Sequence, residues 1–268
     1  MRAASHAMLE SEYAFGEAAK TSIRGAFLRY LAGDSWVLNP GPVSGRALYE
    51  SSKDSKNTLT WYPAIADVAP SGDLGFTTGP YIFTSAAGAP FYGQFLTIWK
   101  RDAQCDWRVQ FDGGVSHPAP AVIEPKLLPG QAPISAAEAP PAKLAADDAA
   151  GRTLGKFQDT AQQDGIAAAL RTYARNGDFL FYTDGQSPLG IAAANAYFDA
   201  RASAGTWKEF ARGRSADSAM MYSIGEFTES VKHGTHAYVQ IWQYDPKVAN
   251  WGLRILLLNP LPPPKEKS

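Results

Sequence analysis

One predicted strand near the C-terminus concentrates side chains that could take part in acid-base or hydrogen-bond chemistry. Alternate residues of a strand point to the same face. In the predicted strand 235–245 that face carries His236, Tyr238, Gln240 and Trp242. Glu226 falls on the preceding strand and Arg254 on the following one. The set is typical of a polar-lined pocket, but an antiparallel sheet with one face in water gives the same pattern, so both interpretations stay open.

Metal coordination and nucleophilic catalysis have little support in the sequence. His233 and His236 span a predicted turn into a strand, and neither paired cysteines nor an HExxH motif accompanies them. The single cysteine, Cys105, lies in a predicted turn without a neighbouring base, so we interpret it as an incidental thiol. The chain has no phosphate-binding glycine loop and no GxSxG motif. We therefore expect neither a metal site nor a cofactor.

Composition disfavours two further classes of function. The 268 residues include 25 Lys and Arg against 26 Asp and Glu, and the net charge is −1. Because no stripe of basic residues could neutralise phosphates, we expect no binding to nucleic acid. No apolar run approaches the roughly 20 residues of a membrane span. Aromatic residues make up 12% of the chain, which is typical of β-rich domains.

The elements that must position these residues occur twice. The stretch 71–112 recurs in degraded form at 215–254. The matched pairs are Ser71 and Ser215, Asp73 and Asp217, Gly79 and Gly225, Trp99 and Trp242, and Trp107 and Trp251. Offsets of 143 to 146 residues indicate two copies of a whole domain rather than a solenoid repeat. The predicted strands are 75–84, 91–101 and 106–115 in the first copy, and 218–229, 235–245 and 250–258 in the second.

Predicted helices precede the strands of each copy. Residues 8–32 carry apolar stripes at helical spacing, with Thr21 or Ser22 as the cap of a second helical segment and Gly33-Asp34 as its end. Residues 144–163 and 165–174 are the corresponding predicted helices of the second copy. Helices followed by a run of antiparallel strands are the pattern of an α+β domain.

Residues 118–150 separate the two copies. They contain seven prolines and many alanines, so we interpret them as an extended connector, with docking of a partner on a proline-rich motif as the alternative. The predicted domains are therefore 1–117 and 151–268, the second ending in a proline-rich tail from Pro260.

The layout resembles that of the NTF2-like superfamily, and within it the DUF4440 and SnoaL-like proteins. The motifs that carry this resemblance are Phe27-Leu28-x-Tyr30-Leu31 with Asp34, Asn39-Pro40-Gly41-Pro42, Leu59-Thr60-Trp61, the stretch 72–80, Tyr92-Gly93, Trp99-Lys100-Arg101, and Trp107-Arg108-Val109 with Asp112. The second copy keeps the tryptophans and helices but lacks the Gly-Asp-Leu-Gly and Thr-Gly-Pro motifs. The resemblance implies two cone-shaped α+β domains, each with N-terminal helices on a strongly curved antiparallel sheet and a mostly apolar pocket.

The resemblance also suggests which residues line the pockets. We expect Trp61, Tyr81 and Tyr92 in the first pocket. We expect His236, Tyr238, Glu226 and Arg254 in the second.

The resemblance includes the ketosteroid isomerases, in which the general base is an aspartate just before the proline that closes the first short strand. That position is Asn39 here, whose amide is unsuited to accept the proton. Asp184 could serve in the second copy if the strand register slips by one, although Asp184-Gly185 is more simply a turn. Asp73 and Asp217 are expected to form turns. Asp112 ends a predicted strand, either as a solvated carboxylate or as the one carboxylate at the mouth of the first pocket.

We expect the protein to bind a small, partly apolar molecule. One alternative is an enzyme of the lyase, isomerase or cyclase type that uses an acid-base pair in one pocket, with Asp184, Glu226 and His236 as candidates. The other is a structural or interaction module. Large apolar residues on both faces of each predicted sheet favour an internal pseudo-dimer of the two sheets, with a homodimer as an alternative. Ser5-His6-Ala7 has the small-x-small spacing of a cleavage site, so we expect export to the periplasm or cell surface, and otherwise a cytoplasmic location.

Overall fold

The computed structural model describes residues 2–86, 88–120, 122–133, 138–143, 148–175, 177–230 and 234–263. His233 and residues 144–147 of a predicted helix lie outside these ranges. The chain forms two compact units. The first comprises Met1–Asn39, Val43–Glu138 and Gly185–Ser187, and the second Pro40–Pro42, Ala139–Asp184 and Pro188–Ser268. Each unit combines helices with one curved sheet, which confirms the predicted α+β class.

The first unit begins with its helices and ends with its longest strands. Its elements are α1 (Arg2–Thr21), α2 (Ile23–Tyr30), β1 (Leu31–Leu38), β2 (Pro42–Ser44), α3 (Gly45–Ser51), β3 (Thr58–Trp61), β4 (Ile65–Val68), β5 (Leu74–Thr84), β6 (Pro90–Arg101) and β7 (Trp107–His117). The strand order is β2-β1-β7-β6-β5-β3, and β4 also pairs with β5. The pairing of β1 with β7 is parallel, so the sheet is mixed rather than purely antiparallel as predicted. A parallel pair needs a crossover, and the chain between β1 and β7 supplies it.

The second unit follows the same plan. Its elements are α4 (Ala149–Gln163), α5 (Ile166–Tyr173), β8 (Leu180–Thr183), α6 (Ile191–Asp199), β9 (Gly205–Arg214), β10 (Met220–Glu229), β11 (Thr235–Asp245) and β12 (Asn250–Pro260). The strand order is β8-β12-β11-β10-β9. Strand β8 pairs in parallel with β12, as β1 does with β7. The other three pairings, β12 with β11, β11 with β10 and β10 with β9, are antiparallel.

The helical region at the N-terminus starts earlier than predicted and ends earlier than predicted. Ser22 caps α2, because its Oγ accepts a hydrogen bond from the Gly25 amide at 2.8 Å. Gly33-Asp34 lies inside β1 and does not end a helix, since α2 already stops at Tyr30. The helix α1 starts well before the predicted residue 8 and includes Ser5-His6-Ala7, of which Ser5 is fully buried.

One face of each sheet packs against the helices of its own unit. In the first unit Phe15 of α1 meets the rings of Trp61 and Trp99 at centroid distances of 4.9 and 6.2 Å. In the second unit Phe157 of α4 meets Trp207 and Trp242 at 5.7 and 5.5 Å. Trp99 and Trp242, which are a matched pair of the repeat, therefore lie at the centre of the two cores.

Part of the segment interpreted as a connector packs along the first unit. The Leu127 amide donates to the Pro63 carbonyl at 2.8 Å, and the Tyr62 hydroxyl donates to the Glu124 carbonyl at 2.9 Å. The Lys126 ammonium lies 4.9 Å from the centroid of the same tyrosine ring. These contacts order residues that composition alone describes as extended. None of the helices in the described part of the chain is both long and apolar enough to cross a membrane.

A close backbone approach explains the repeated glycines Gly79 and Gly225. Both lie within strands rather than in turns. A Cβ at Gly79 would stand 2.1 Å from the Tyr62 carbonyl oxygen, and one at Gly225 would stand 2.0 Å from the Lys208 carbonyl oxygen. Neither contact can be relieved by a side-chain rotation, because both involve backbone atoms.

We predict that Gly79→Ala and Gly225→Ala each lower the free energy of unfolding by at least about 1–3 kcal/mol, because the new methyl group forces the backbone apart. Gly33→Ala in β1 is the control, since a Cβ there meets nothing within 4 Å. Urea denaturation followed by tryptophan fluorescence measures all three. Equal midpoints for the control and the two test variants would contradict the explanation.

Candidate functional site

A buried carboxyl group lies at the centre of the first unit. Glu12 of α1 is 1% exposed and accepts hydrogen bonds from three strands. The donors are the indole nitrogen of Trp61 at 2.5 Å, the indole nitrogen of Trp99 at 2.8 Å, and the Thr77 hydroxyl. Both carboxyl oxygens are engaged, so Glu12 connects α1 to β3, β5 and β6.

Burial governs the protonation of Glu12. Removal from water raises the pKa of the Glu12 carboxyl, and the hydrogen bonds from Thr77, Trp61 and Trp99 oppose that rise. No salt bridge to Glu12 occurs within the described ranges. The group is therefore a structural acceptor with all its oxygens occupied, rather than a group available to a ligand.

A second carboxyl group, Asp112, lies near Glu12 with one oxygen unoccupied. Strand pairing places Asp112 of β7 opposite Thr97 of β6, on the face that packs against the helices. The Thr97 hydroxyl donates to Oδ2 at 2.7 Å. Among the residues that the structure describes, Oδ1 has no donor, and the residue keeps part of its surface accessible to solvent.

The environment of Asp112 suits proton exchange near neutral pH. Burial raises the pKa of Asp112 to about 7, the Thr97 hydrogen bond works against this, and the nearby Glu12 carboxyl adds to the rise. A carboxyl group with a pKa near 7 can both donate and accept a proton under ordinary conditions.

Aromatic side chains surround the carboxyl pair. The ring of Tyr49 stacks on Phe27 at 4.3 Å, and the pKa of Tyr49 is raised by burial and by the charge of Asp112, so the phenol is neutral. Trp61 lies 6.4 Å from the ring of Phe95 on the same side of the sheet. The first unit thus presents one accessible carboxyl group within a largely aromatic surrounding.

The second unit fills the equivalent space with aliphatic side chains. Leu256 stands opposite Gln240 at the place where Asp112 stands opposite Thr97. Leu258 stands opposite Tyr238 where Gly114 stands opposite Phe95, and the run 256–258 is buried. The interior of the second unit is therefore packed where the first unit has a carboxyl group and glycines.

The strand register separates the residues predicted for the second pocket. His236 is opposite Phe227, whereas Glu226 is opposite Ala237, so His236 and Glu226 lie on different faces of the sheet. Tyr238 shares the face of His236 and is buried, and its hydroxyl lies 3.0 Å from the Ser223 hydroxyl. Burial raises the pKa of Tyr238 to about 12.

Arg254 and Asp184 also lie apart from the predicted cluster. Arg254 forms an ion pair with Asp178 at 3.5 Å, and Arg175 binds the same carboxylate at 3.1 Å. Asp184 is exposed in a turn whose next residue, Gly185, has a φ of +77°. The simpler interpretation of Asp184, a turn residue, matches this position. The Ser71–Asp73 and Ser215–Asp217 hydrogen bonds, at 2.5 and 2.6 Å, fit the turn role expected of both hairpin aspartates.

The residues predicted for the first pocket are only partly brought together. Trp61 and Tyr81 pair across β3 and β5 and share a face, and the ring of Tyr81 lies over Gly93. Tyr92 is on the opposite face, where it pairs with Ile82 and His117.

Sequence reasoning missed Glu12, although a signal exists. Met8, Glu12 and Phe15 fall at helical spacing on one buried stripe of α1. A carboxyl group on an apolar stripe indicates a buried partner.

Comparison with known proteins finds similarity only to solved structures, at low sequence identity. No protein-family model matches the chain, and no curated protein does. Among solved structures, a nuclear transport factor 2 (NTF2-like) superfamily protein from Salmonella enterica matches at 14% identity and a TM-score of 0.36, over 45% of this chain and 95% of that chain. An NTF2-like protein of unknown function from Shewanella oneidensis matches at 12% identity and a TM-score of 0.34, over 42% of this chain and 98% of that chain. An NTF2-like protein with a cystatin-like fold from Novosphingobium aromaticivorans matches at 15% identity and a TM-score of 0.34, over 43% of this chain and 82% of that chain.

We predict that Glu12→Gln lowers the free energy of unfolding by about 1–3 kcal/mol, because an amide offers one acceptor oxygen to three donors and leaves buried donors unpaired. Glu10→Gln on the same helix is the control, since Glu10 is exposed and its ion pair with His6 lies at the surface. Chemical denaturation at pH 7 compares the two variants. Similar losses in both would show that the hydrogen bonds to Glu12 contribute little.

The raised pKa of Asp112 predicts a pH-dependent stability. The folded protein holds this proton up to about pH 7, whereas the carboxyl group of the unfolded chain releases it near its ordinary value of 3.8. The contribution of Asp112 to the free energy of unfolding is therefore fully present below pH 3.8 and is lost as the pH rises to 7. The free energy of unfolding falls over this range by at most about 1.4 kcal/mol per pH unit. Asp112→Asn should make the free energy of unfolding less dependent on pH and leave only the pH dependence that is due to Glu12. Parallel pH profiles for the variant and the native chain would contradict the assignment.

Proposed function

We propose that the protein is a tandem of two NTF2-like domains, of which the first binds a small, partly apolar molecule with Asp112 as its polar contact. The single observation that carries this proposal is the state of Asp112. It has a free oxygen, partial access to solvent, a pKa of about 7 and aromatic neighbours.

The difference between the two units supports a functional role for Asp112. Five strands of the first sheet follow the same order as the five strands of the second, but Leu256 occupies the position of Asp112 in the second unit. The fold can therefore form with an aliphatic residue at this point. Keeping a partly desolvated carboxyl group costs stability, so its retention in the first unit favours a ligand that uses it.

The chemistry of the site defines the class of ligand. Near neutral pH the Asp112 carboxyl is present in both protonation states, so it can donate to a carbonyl or accept from a hydroxyl group. Trp61, Tyr49 and Phe95 provide apolar contact surface. A compact apolar frame bearing a single hydroxyl or carbonyl group matches both features.

We predict that a thermal-shift screen of such compounds at pH 7 yields ligands whose affinity falls at least about tenfold in Asp112→Asn and Asp112→Leu, since a lost hydrogen bond to a charged or buried group costs more than 1.4 kcal/mol. The Leu variant reproduces the second unit and should keep the fold. Asp164→Asn is the control, because Asp164 is exposed at the end of α4. Ligands that bind all variants equally would refute the role of Asp112, and a screen without ligands would favour the structural-module alternative.

The pKa of Asp112 also favours a second candidate, an acid-base enzyme of the isomerase or lyase type. General acid-base catalysis is most efficient when the pKa of the group is close to the working pH. Incubating a carbonyl ligand from the screen with the protein in deuterated water tests this candidate. Mass spectrometry should show deuterium next to the carbonyl with the native chain and none with Asp112→Asn. Equal incorporation in both would exclude Asp112 as the base.

A further inference from the structure

The first unit has an open groove of about 530 Å3 at one end of its sheet, lined by residues of α2, β1, α3, β6 and β7. Five cationic side chains line it: Arg29, Arg46, Lys100, Arg101 and Arg108. Two carboxylates, Asp34 and Asp102, lie among them. The whole chain has a net charge of −1, so this concentration of cations is local.

Two of the five cations are held by the protein. Arg108 binds Asp102 at 3.0 Å and Asp106 at 3.2 Å, and its hydrogen bond lowers the pKa of the Asp102 carboxyl. Arg46 binds Glu50 at 3.0 Å. These ion pairs hold Arg108 and Arg46 in place at the groove. The other three cations are Arg29, Lys100 and Arg101.

Arg29, Lys100 and Arg101 form no ion pair and no side-chain hydrogen bond with another described residue. Arg101 lies with its guanidinium 5.1 Å from the centroid of the Trp107 ring, and its Nε is buried without a partner. Arg29 lies in the same way 5.4 Å from the ring of Tyr30. Aromatic rings therefore position two guanidinium groups whose hydrogen-bond donors are unused.

The fold does not require these charges. Lys100 pairs with Arg108, and Arg101 with Trp107, at the end of β6. The equivalent pairs at the end of β11 are Gln243 with Gly252 and Tyr244 with Trp251. The second unit thus keeps the tryptophan and has uncharged residues at the positions of three of the cations, Lys100, Arg101 and Arg108.

We propose that this groove binds a small molecule through a phosphate or pyrophosphate group, as a second site distinct from the one around Asp112. Guanidinium forks match phosphate oxygens in a bidentate geometry, and Lys100 adds a point charge. Three cations without a carboxylate partner among the described residues suit an anion of two or more negative charges, and the groove volume is within the range of small-molecule sites.

Inorganic pyrophosphate is the probe, titrated calorimetrically into the full chain at 20 and 150 mM salt. We expect saturable one-site binding that weakens at the higher salt concentration, because the site is open to solvent. The triple variant Arg29→Gln, Lys100→Gln, Arg101→Gln should bind at least about tenfold more weakly. The control Lys53→Gln, Lys56→Gln, Arg171→Gln removes the same charge elsewhere and should bind like the native chain.

The single variant Lys100→Gln leaves the Arg101–Trp107 contact in place and separates a loss of charge from a loss of folding. It should retain the native circular dichroism spectrum and bind about threefold more weakly, as expected for one charge-assisted contact at an open site. Absence of saturable binding at 20 mM salt, full affinity in Lys100→Gln, or equal weakening in the charge-matched control would each overturn the proposal.

Discussion

The first unit depends on one buried carboxyl group. Glu12 reaches from the first helix to three strands and receives hydrogen bonds from two indoles and a hydroxyl. A carboxyl group without water is tolerable only when its oxygens are satisfied, so Glu12 dictates where Trp61, Thr77 and Trp99 must stand. These three residues set the position of the sheet against the helix. Asp112 then lies close enough to Glu12 for their charges to repel, which is one reason why the pKa of Asp112 is raised to about 7.

The two units share an arrangement of strands but differ in the side chains that fill their cores. Both place a parallel edge strand beside the last strand of an antiparallel run, and both centre the core on a pair of tryptophans. The second unit fills its interior with the buried side chains of Leu256 and Leu258 and carries uncharged residues at the end of β11. The first unit keeps carboxyl groups inside and cations at the strand end. The features that could bind ligands are therefore those that the shared fold does not require.

Much of the fold could be predicted because its signals are local. Alternation of side chains indicated β6 and β11, and helical spacing indicated α1 and α2. The parallel pairings of β1 with β7 and of β8 with β12 were missed, since pairing partners far apart in the chain leave no local pattern. Residues predicted to line the second pocket lie apart for a related reason. Glu226 and His236 lie on adjacent strands, yet a register in which Ala237 faces Glu226 places them on opposite sides.

By itself, the sequence determined the α+β class and indicated an internal repeat with recurring tryptophans, because hydrophobic periodicity and internal repetition are properties of the chain itself. Only the tertiary structure decided which polar groups come together. Glu12 and Asp112 are a hundred positions apart in the chain, and the cations of the groove come from four separate elements, so no basic stripe is visible in the sequence. Their proximity, the burial that raises the pKa of Asp112 and the ring contacts that position Arg101 all arise from packing between distant segments.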